Sequence, residues 1–234
     1  MPAGGERQQM DSHPQTPEPA APASPLTAIL TPSSWTEKLP VCRLFQPPGP
    51  LEVDIGCGKA RFLLARAAAN PGTWFLGIDR MLTRLRKADN AIQRAHLTNI
   101  RLLRVEASYA VTHLIPDGVV AVYYIFFPDP WPKRRHHPRR LFSPPFIDDV
   151  HRTLADGGVM HAATDHMDYF AAIGKILDKD PRFRREEPFV PGVEERTDFE
   201  RKFLGQGLPI GRASFRKLDA TRRLPAAASP MTSP

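Results

Sequence analysis

Three acidic residues and two glycines stand where strand-like segments of this sequence end, a placement that suits the binding of a small polar molecule. Asp54 lies in the run Asp-Ile-Gly-Cys-Gly-Lys-Ala, where Gly56 and Gly58 allow a tight turn and a close approach of a ligand to the backbone. Asp79 ends the next strand-like run, and Glu106 follows the one after it. A carboxylate at the second strand end can accept two hydrogen bonds from ribose hydroxyls. Together these residues predict a site for a cofactor that contains a nucleoside.

Each of these signals has a structural alternative when it is taken alone. Glycine turns follow strands in many α/β proteins, and Asp79 or Glu106 can equally begin a helix as its N-terminal cap. Their occurrence at consecutive strand ends favours the cofactor. A carboxylate at Asp54 can meet a cationic amino-acid portion, whereas NAD would place a negative pyrophosphate nearby. This residue therefore favours S-adenosyl-L-methionine over NAD.

A stiff segment with a tryptophan follows the fourth strand-like run. Residues 127–133 read Phe-Pro-Asp-Pro-Trp-Pro-Lys, and their three prolines restrict the backbone to an extended form. Trp131 beside the carboxylate of Asp129 can stack on a base, although a rigid loop with an inward-packed tryptophan is the alternative. Residues 133–140 add five formal positive charges, which suit a grip on a phosphate backbone. The adjacent residues His136 and His137 do not converge on one ion, and no metal is predicted.

The elements that must position these residues alternate between strand and helix. Apolar strand-like runs cover Leu51–Ile55 and residues 74–78, 100–105, 119–127 and 159–164, and a last strand is predicted at 215–218. Helical patterns cover residues 62–69, 82–95 and 165–177, and a further helix is predicted from Ser143 to the glycines at 157 and 158. This alternation predicts a parallel sheet with helices on both faces, whose ligands bind at the carboxyl ends of the strands.

Composition predicts one folded domain between two tails. Residues 1–25 contain six prolines and almost no large apolar side chains, so we predict disorder there and at residues 222–234, with the domain at 26–221. The net charge of +7 suits an anionic partner, either nucleic acid or a membrane surface. Two cysteines are too few for a disulfide framework. No apolar run reaches the ~20 residues that cross a bilayer and no secretory signal is recognisable, so a cytoplasmic protein is predicted.

Several of these runs resemble one enzyme family. Residues 127–133, the basic stretch through Arg140 and the triplet Ala163-Thr164-Asp165 resemble bacterial tRNA (guanine-N7)-methyltransferases of the TrmB type, and residues 196–200 are similar to their Thr-Lys-Phe-Glu motif. The similarity spans roughly residues 50 to 215. It implies a single Rossmann-like class I methyltransferase domain with a mostly parallel seven-stranded sheet. It also implies methyl transfer from S-adenosyl-L-methionine to N7 of the variable-loop guanine at position 46 of tRNA.

The resemblance implies a role for individual residues as well. The cofactor-contacting positions of the family match Asp54, Asp79, Glu106 and Asp129, and we expect Gly56 and Gly58 in the same site. Asp129 also matches the position with the catalytic role. The substrate-binding positions match Lys133, Asp165, Thr197, Asp198, Phe199 and Glu200. The RNA-contacting stretch matches Arg135, His136, His137, Pro138, Arg139 and Arg140. The family usually has Glu at the positions of Asp54 and Asp79, and Lys at that of Asp198.

The chemistry of guanine N7 shapes the expected mechanism. This nitrogen already carries an in-plane lone pair, so a strong general base is unnecessary and alignment with electrostatics should supply most of the rate. We expect Asp129 to orient cofactor and guanine and to favour the positive charge that forms on the ring. Asp165 and Glu200 are expected to accept hydrogen bonds from guanine N1–H and the N2 amine, and Lys133 to donate to O6 or a phosphate.

Three other classes of protein remain as alternatives. Amino-group methyltransferases share the predicted fold but carry a Pro-Pro-aromatic motif that residues 129–131 do not match. A nucleotide-binding RNA adaptor would bind without catalysis, and an NAD-dependent dehydrogenase is disfavoured by Asp54. The expected partner is tRNA, with no membrane and no metal, and the protein is expected to be a monomer or a homodimer.

Overall fold

One sheet of eight strands runs through residues 27–218, the part of the chain that the computed structural model describes. The predicted tails at 1–25 and 222–234 lie outside the described residues, as do positions 26 and 219–221 of the predicted domain. The spatial order of the strands is β1-β4-β3-β2-β5-β6-β8-β7. Their bounds are Ile29–Leu30 (β1), Leu51–Ile55 (β2), Trp74–Asp79 (β3), Ile100–Arg104 (β4), Val120–Phe126 (β5), Leu154–Thr164 (β6), Phe183–Glu186 (β7) and Gly211–Lys217 (β8).

Helices cover both faces of this sheet. Phe62 and Leu85 contribute to one cluster of buried apolar side chains, whereas Val150 and Ile173 contribute to another. The α-helices are Val41–Leu44 (α1), Arg61–Ala69 (α2), Leu82–Arg94 (α3), Ala107–Tyr109 (α4), Pro144–Thr153 (α5), Met167–Leu177 (α6) and Asp198–Gly205 (α7). A π-helix spans Ala110–Leu114, and 3-10 helices span Arg134–Arg139 and Val193–Glu195.

The predicted α/β fold class is confirmed, and the predicted number of strands is wrong. The pairs from β1 to β6 are parallel, and β8 runs antiparallel between β6 and β7. The sheet has eight strands in the described residues rather than seven. The sequence does not reveal β1 because this strand has only two residues and is held by contacts with distant parts of the chain. One of them is a hydrogen bond of 2.7 Å from the N–H of Ala28, next to β1, to the carboxylate of Asp89.

The junction between α5 and β6 also differs from the prediction. The helix ends at Thr153 rather than near the glycines, and β6 begins at once with Leu154. Thr153 is fully buried, and its hydroxyl lies 2.8 Å from that of Tyr123 on the neighbouring strand. Gly157 has a φ of +71° inside β6, where the register with β5 shifts. The left-handed glycine therefore belongs to a bulged strand instead of a helix end.

The strand order creates a crevice at the carboxyl end of β2. Chain connections leave β2 for β3 on one side, while β5 pairs with it on the other. Such a reversal opens a gap between the loops at this edge, which is where α/β sheets bind ligands. Within residues 27–218, no helix has the length and apolar character needed to cross a membrane.

Candidate functional site

A cavity of about 240 Å³ lies at this edge, between the glycine turn after β2 and the start of α7. Gly56 and Gly58 have φ values of +81° and +59°, a region that residues with a Cβ rarely adopt. A Cβ placed on Gly56 would meet no atom within 4 Å, so the backbone of the turn faces open space. The predicted site residues that line the cavity are Asp54, Gly56, Gly58, Thr197, Asp198 and Phe199.

Asp54 carries a buried carboxyl group at the base of this cavity. Its side chain is 4% exposed, and no hydrogen bond reaches it from any residue in the range 27–218. Burial, with a smaller contribution from the neighbouring charge of Asp79, raises the pKa of Asp54 from 3.8 to about 8. The carboxyl group is thus mostly protonated at neutral pH, and it would ionise when a positively charged group enters the cavity.

Asp79 fastens the glycine turn to the start of α3. Its Oδ2 accepts a hydrogen bond of 3.1 Å from the Gly58 N–H, and its Oδ1 accepts one of 2.7 Å from the Met81 N–H. The Arg84 guanidinium lies 3.6 Å from Oδ2. Asp79 is thus not the N-terminal cap of α3, since Met81 occupies that position without a side-chain cap, but it holds the turn that leads into the helix. A carboxylate oxygen has two lone pairs, which leaves acceptor capacity for ribose hydroxyls.

Glu106, unlike Asp79, caps a helix. It is exposed, and its Oε2 accepts a hydrogen bond of 2.9 Å from the N–H of Tyr109 in α4. Glu106 does not line the cavity beside Asp54. The helix-start interpretation of this residue is thus observed, while contact with a cofactor stays a prediction.

The segment after β5 is held in a strained conformation. Phe127 and Trp131 have φ values of +53° and +43°, which for bulky side chains cost of the order of 1–3 kcal/mol each. The Phe127 N–H donates a hydrogen bond of 2.7 Å to the carbonyl of Ala163, which ties the segment to β6. Since strain of this kind persists only where surrounding contacts enforce it, the segment is built to hold one shape.

Asp129, Lys133 and Asp165 share the same edge of the sheet. Asp129 follows β5 and is exposed, and Asp165 follows the neighbouring parallel strand β6 and is half-buried. Lys133 is exposed beyond the proline-tryptophan segment. None of the three lines the cavity beside Asp54. The structure therefore brings these predicted residues to the crevice but outside its enclosed part.

The basic stretch contains exposed cations and one that packs on the protein. Arg135 and Arg139 are both exposed, and the Arg139 guanidinium lies 5.1 Å from the centre of the Trp131 ring. Arg140 donates a hydrogen bond of 2.8 Å to the carbonyl of Pro130 and stacks on another aromatic ring. His136 meets the Trp131 ring edge-on, and His137 and Pro138 belong to the same 3-10 helix. Part of the predicted RNA-contacting stretch thus shapes the loop itself.

Glu200 occupies a buried ion pair. It is 1% exposed, and its Oε1 accepts a hydrogen bond of 2.5 Å from the guanidinium of Arg212 on β8. Its Oε2 is buried without a hydrogen-bond partner in residues 27–218. The Thr197 hydroxyl accepts from the Glu200 N–H and caps α7. These contacts fix the start of α7 over the cavity.

Asp198 forms an ion pair across the mouth of the cavity. Its Oδ2 lies 3.7 Å from the Nζ of Lys59 in the glycine turn. Phe199, the next residue, packs on Phe127, with ring centres 6.4 Å apart. Asp198 is negative at a position where the resemblance implies a lysine, and Lys59 supplies the opposite charge in this chain.

Arg66 links the segment before α7 to the sheet. Its guanidinium lies 3.4 Å from Glu52 on β2 and 3.4 Å from Glu195 in the 3-10 helix. It also donates a hydrogen bond of 3.1 Å to the Tyr124 hydroxyl. Because both carboxylates are largely buried, removal of this cation would loosen the connection that carries Thr197.

Other side chains that line the cavity were not predicted as site residues. Lys59 and Arg84 stand one residue beyond Gly58 and five residues beyond Asp79, and no local pattern separates them from ordinary surface cations. The remaining ones are Cys57, Arg61, Phe62 and Phe126, whereas Phe127, which also lines the cavity, begins the segment 127–133 that the sequence singled out. Burial raises the pKa of the Cys57 thiol, with nearby Asp54 and Asp79 adding to the shift, so this cysteine is no nucleophile at neutral pH. No group of three or more metal-binding side chains occurs within residues 27–218.

Comparisons with known proteins point to one kind of enzyme. Residues 48–213 match a family model described as "Putative methyltransferase". A tRNA (guanine-N(7)-)-methyltransferase of Alkalilimnicola ehrlichii is 34% identical over 77% of this chain and 78% of its own length. The enzyme of the same name from Treponema pallidum is 35% identical over 85% of this chain and 78% of its own length. That of Mycolicibacterium gilvum is 39% identical over 68% of this chain and 69% of its own length.

Solved structures support the fold. An aminoglycoside resistance methyltransferase aligns with a TM-score of 0.53 at 15% identity, over 75% of this chain and 91% of its own. An rRNA methylase from Streptococcus thermophilus aligns with a TM-score of 0.50 at 14% identity, over 73% of this chain and 88% of its own. At such low identity the likeness concerns the Rossmann-like architecture alone.

Proposed function

The chain belongs to the TrmB family of tRNA (guanine-N7)-methyltransferases, and from that premise we propose that it methylates N7 of the variable-loop guanine at position 46 of tRNA. One observation carries the proposal beyond family membership. The cavity with the buried Asp54 opens beside the strained segment that presents Asp129 at the end of β5. A methyl donor and a base can therefore meet at one edge of the sheet. A tRNA substrate also supports a cytoplasmic location.

S-adenosyl-L-methionine fits the residues of the cavity. Asp54 is a buried carboxyl group without a hydrogen-bond partner among the described residues, which suits the cationic amino-acid portion of this cofactor. Gly56 and Gly58 would admit it against the backbone, Asp79 would accept from its ribose, and Glu106 would lie toward its base. When bound, the cofactor supplies a methyl group on a positively charged sulfur.

Residues beyond the cavity would hold the guanine. Asp165 follows β6 beside the proline-tryptophan segment and would accept from the guanine N1–H. Lys133 would donate to O6 or to a phosphate. Glu200 has Oε1 engaged by Arg212 and a buried Oε2, so a hydrogen bond from the N2 amine would require Oε2 to become accessible. This arrangement would select guanine over adenine, which lacks both donors in those positions.

Asp129 would act through charge and alignment. The N7 lone pair needs no proton removed, and the methylated ring is a cation. A carboxylate beside the ring favours that charge as it forms, and it requires no change in its own protonation. Phe127 and Trp131 on either side fix the loop, so that the carboxylate is in place before the substrate arrives.

Methyl transfer to tRNA tests the proposal. We expect the wild-type protein to convert guanine to 7-methylguanine in unmodified tRNA when S-adenosyl-L-methionine is supplied. The isosteric variant Asp129→Asn should lower kcat by about 100-fold, the usual loss for one electrostatic group at a reacting centre, with little change in tRNA affinity. The matched control is Asp156→Asn, an exposed position at the opposite end of β6.

Two results would contradict the proposal. Methylation at an exocyclic amine or at a ribose would place the enzyme in another methyltransferase class. A variant Asp129→Asn as active as Asp156→Asn would remove Asp129 from the reaction.

A further inference from the structure

A second, more open cleft of about 490 Å³ adjoins the cofactor cavity. It lies between α2 and α3 and shares Lys59, Arg61 and Asp198 with the cavity. Lys87 and Arg94 of α3 line its other side. Four cations thus surround a space with one carboxylate, and that carboxylate already faces Lys59.

The cations on α3 form a row that leads away from the cavity. Arg84 lines the cavity itself, and Lys87 and Arg94 continue along the same helix face with the small Ala91 between them. Arg94 follows Lys87 by seven positions, a rise of about 10 Å along the helix. Both side chains are exposed. The row can therefore contact an extended anion over more than one charged group.

The charges of this cleft are less neutralised than those around β7 and β8. Arg182 and Arg185 each pair with a carboxylate near β7. Arg216 of β8 pairs with Glu186 of β7. Arg61, Lys87 and Arg94 have no such ion pair within residues 27–218, and the buried Nε of Arg61 has no hydrogen-bond partner there either. A cation without a carboxylate beside it remains available to an external anion.

We propose that this α2–α3 cleft binds phosphates of the substrate RNA strand next to the methylated nucleotide. The inference rests on the proposed function, because tRNA is the polyanion that must reach the adjoining site. The basic stretch at 133–140 has Arg140 bound to the carbonyl of Pro130, while its other cations can still meet an external anion. The cleft would add phosphate contacts to those of the stretch.

The test compares two double variants of equal charge. K87A/R94A removes the exposed cations of the cleft, and K175A/K179A removes two exposed lysines on or just beyond α6, which packs on the other face of the sheet. Binding of unmodified tRNA is measured against KCl concentration. Loss of two phosphate contacts should lower the slope of log affinity against log salt by about 1.4 to 1.8, which corresponds to roughly 30-fold weaker binding near 0.1 M salt.

Other readouts separate this inference from its premise. K87A/R94A should bind S-adenosylhomocysteine as the wild type does, since neither residue lines the cofactor cavity. A salt slope equal to that of K175A/K179A would overturn the cleft proposal, even if the wild type methylates N7. Weaker binding to anionic phosphatidylglycerol vesicles with unchanged tRNA affinity would also overturn it. If K87A/R94A loses tRNA affinity but the wild type methylates another atom, the proposed function fails and the cleft remains an RNA site.

Discussion

Asp54→Asn should make the cofactor-free protein more stable at alkaline pH. Burial raises the pKa of Asp54 to about 8 in the folded protein, against 3.8 for the ordinary carboxyl group. A group with a raised folded-state pKa favours folding below its unfolded pKa, and this contribution is lost as pH rises through the folded value. Asparagine has almost the same shape and does not titrate. The difference between the two proteins therefore isolates this carboxyl group.

The size of the effect follows from the pKa difference. Each pKa unit corresponds to about 1.4 kcal/mol. Between pH 5 and pH 8 the free energy of unfolding of the wild type should therefore fall by about 4 kcal/mol relative to that of Asp54→Asn. The direction matters most: the advantage of the variant grows with pH. Asp156→Asn, an exposed substitution, should differ from the wild type by the same small amount at both pH values.

Urea unfolding of the three proteins at the two pH values measures this directly. The raised pKa of Asp54 would be refuted if the free energies of unfolding of the wild type and Asp54→Asn differed by the same amount, within about 1 kcal/mol, at pH 5 and pH 8. Isothermal titration of S-adenosylhomocysteine at pH 7 gives a second measurement. Binding should release about 0.9 proton from the wild type, the fraction protonated for a pKa near 8, and none from Asp54→Asn.

Three further substitutions test other parts of the site. Arg66→Met should cost about 3 kcal/mol in the free energy of urea unfolding, because it leaves Glu195 and a second carboxylate without their cation. Asp198→Lys should raise the KM for S-adenosyl-L-methionine by placing like charges at the cavity mouth, and the double swap K59D/D198K should restore it. Gly77→Ala should cost about 1–3 kcal/mol in urea unfolding, since its Cβ would lie 2.8 Å from a buried leucine methyl.

Each of these expectations has a clear contrary result. If Arg66→Met had the same urea midpoint of unfolding as the wild type, the ion pairs of Arg66 would add nothing to stability. A double swap that stays as impaired as Asp198→Lys would show that the two charges do not act together. A Gly77→Ala protein of wild-type stability would mean that the sheet surface there can shift to admit a methyl group.

Most of the sheet could be predicted from the apolar residues of its central strands. β5 lies between neighbours on both sides and under helices on both faces, so a continuous apolar run marks it. β2 instead alternates its apolar residues with Glu52 and Asp54. β7 escaped prediction because three of its four residues are charged. Its Arg185 is held by Asp178 at 2.7 Å, a contact between residues that only the folded chain brings together.

Site residues were predictable where the end of a central strand fixes their position, and not where the folded chain decides it. Asp54 and the glycines line the cavity as their position after β2 predicted, since the carboxyl end of a central strand fixes where the turn lies. Glu106 follows a strand in the same way, yet its side chain turns back to cap α4. Lys59 lines the cavity from the glycine turn and faces Asp198 at the start of α7. Arg84 reaches the cavity from α3, and no spacing in the sequence encodes either approach.

A tRNA that lacks the nitrogen proposed to accept the methyl group provides a direct test of the reaction. A tRNA with 7-deazaguanine at variable-loop position 46 replaces N7 by a C–H group and keeps the Watson–Crick edge that Asp165 and Glu200 would read. Labelled methyl transfer to this tRNA should fall to background while its affinity stays close to that of the unmodified substrate. Transfer at the normal rate to the 7-deazaguanine tRNA would contradict the account.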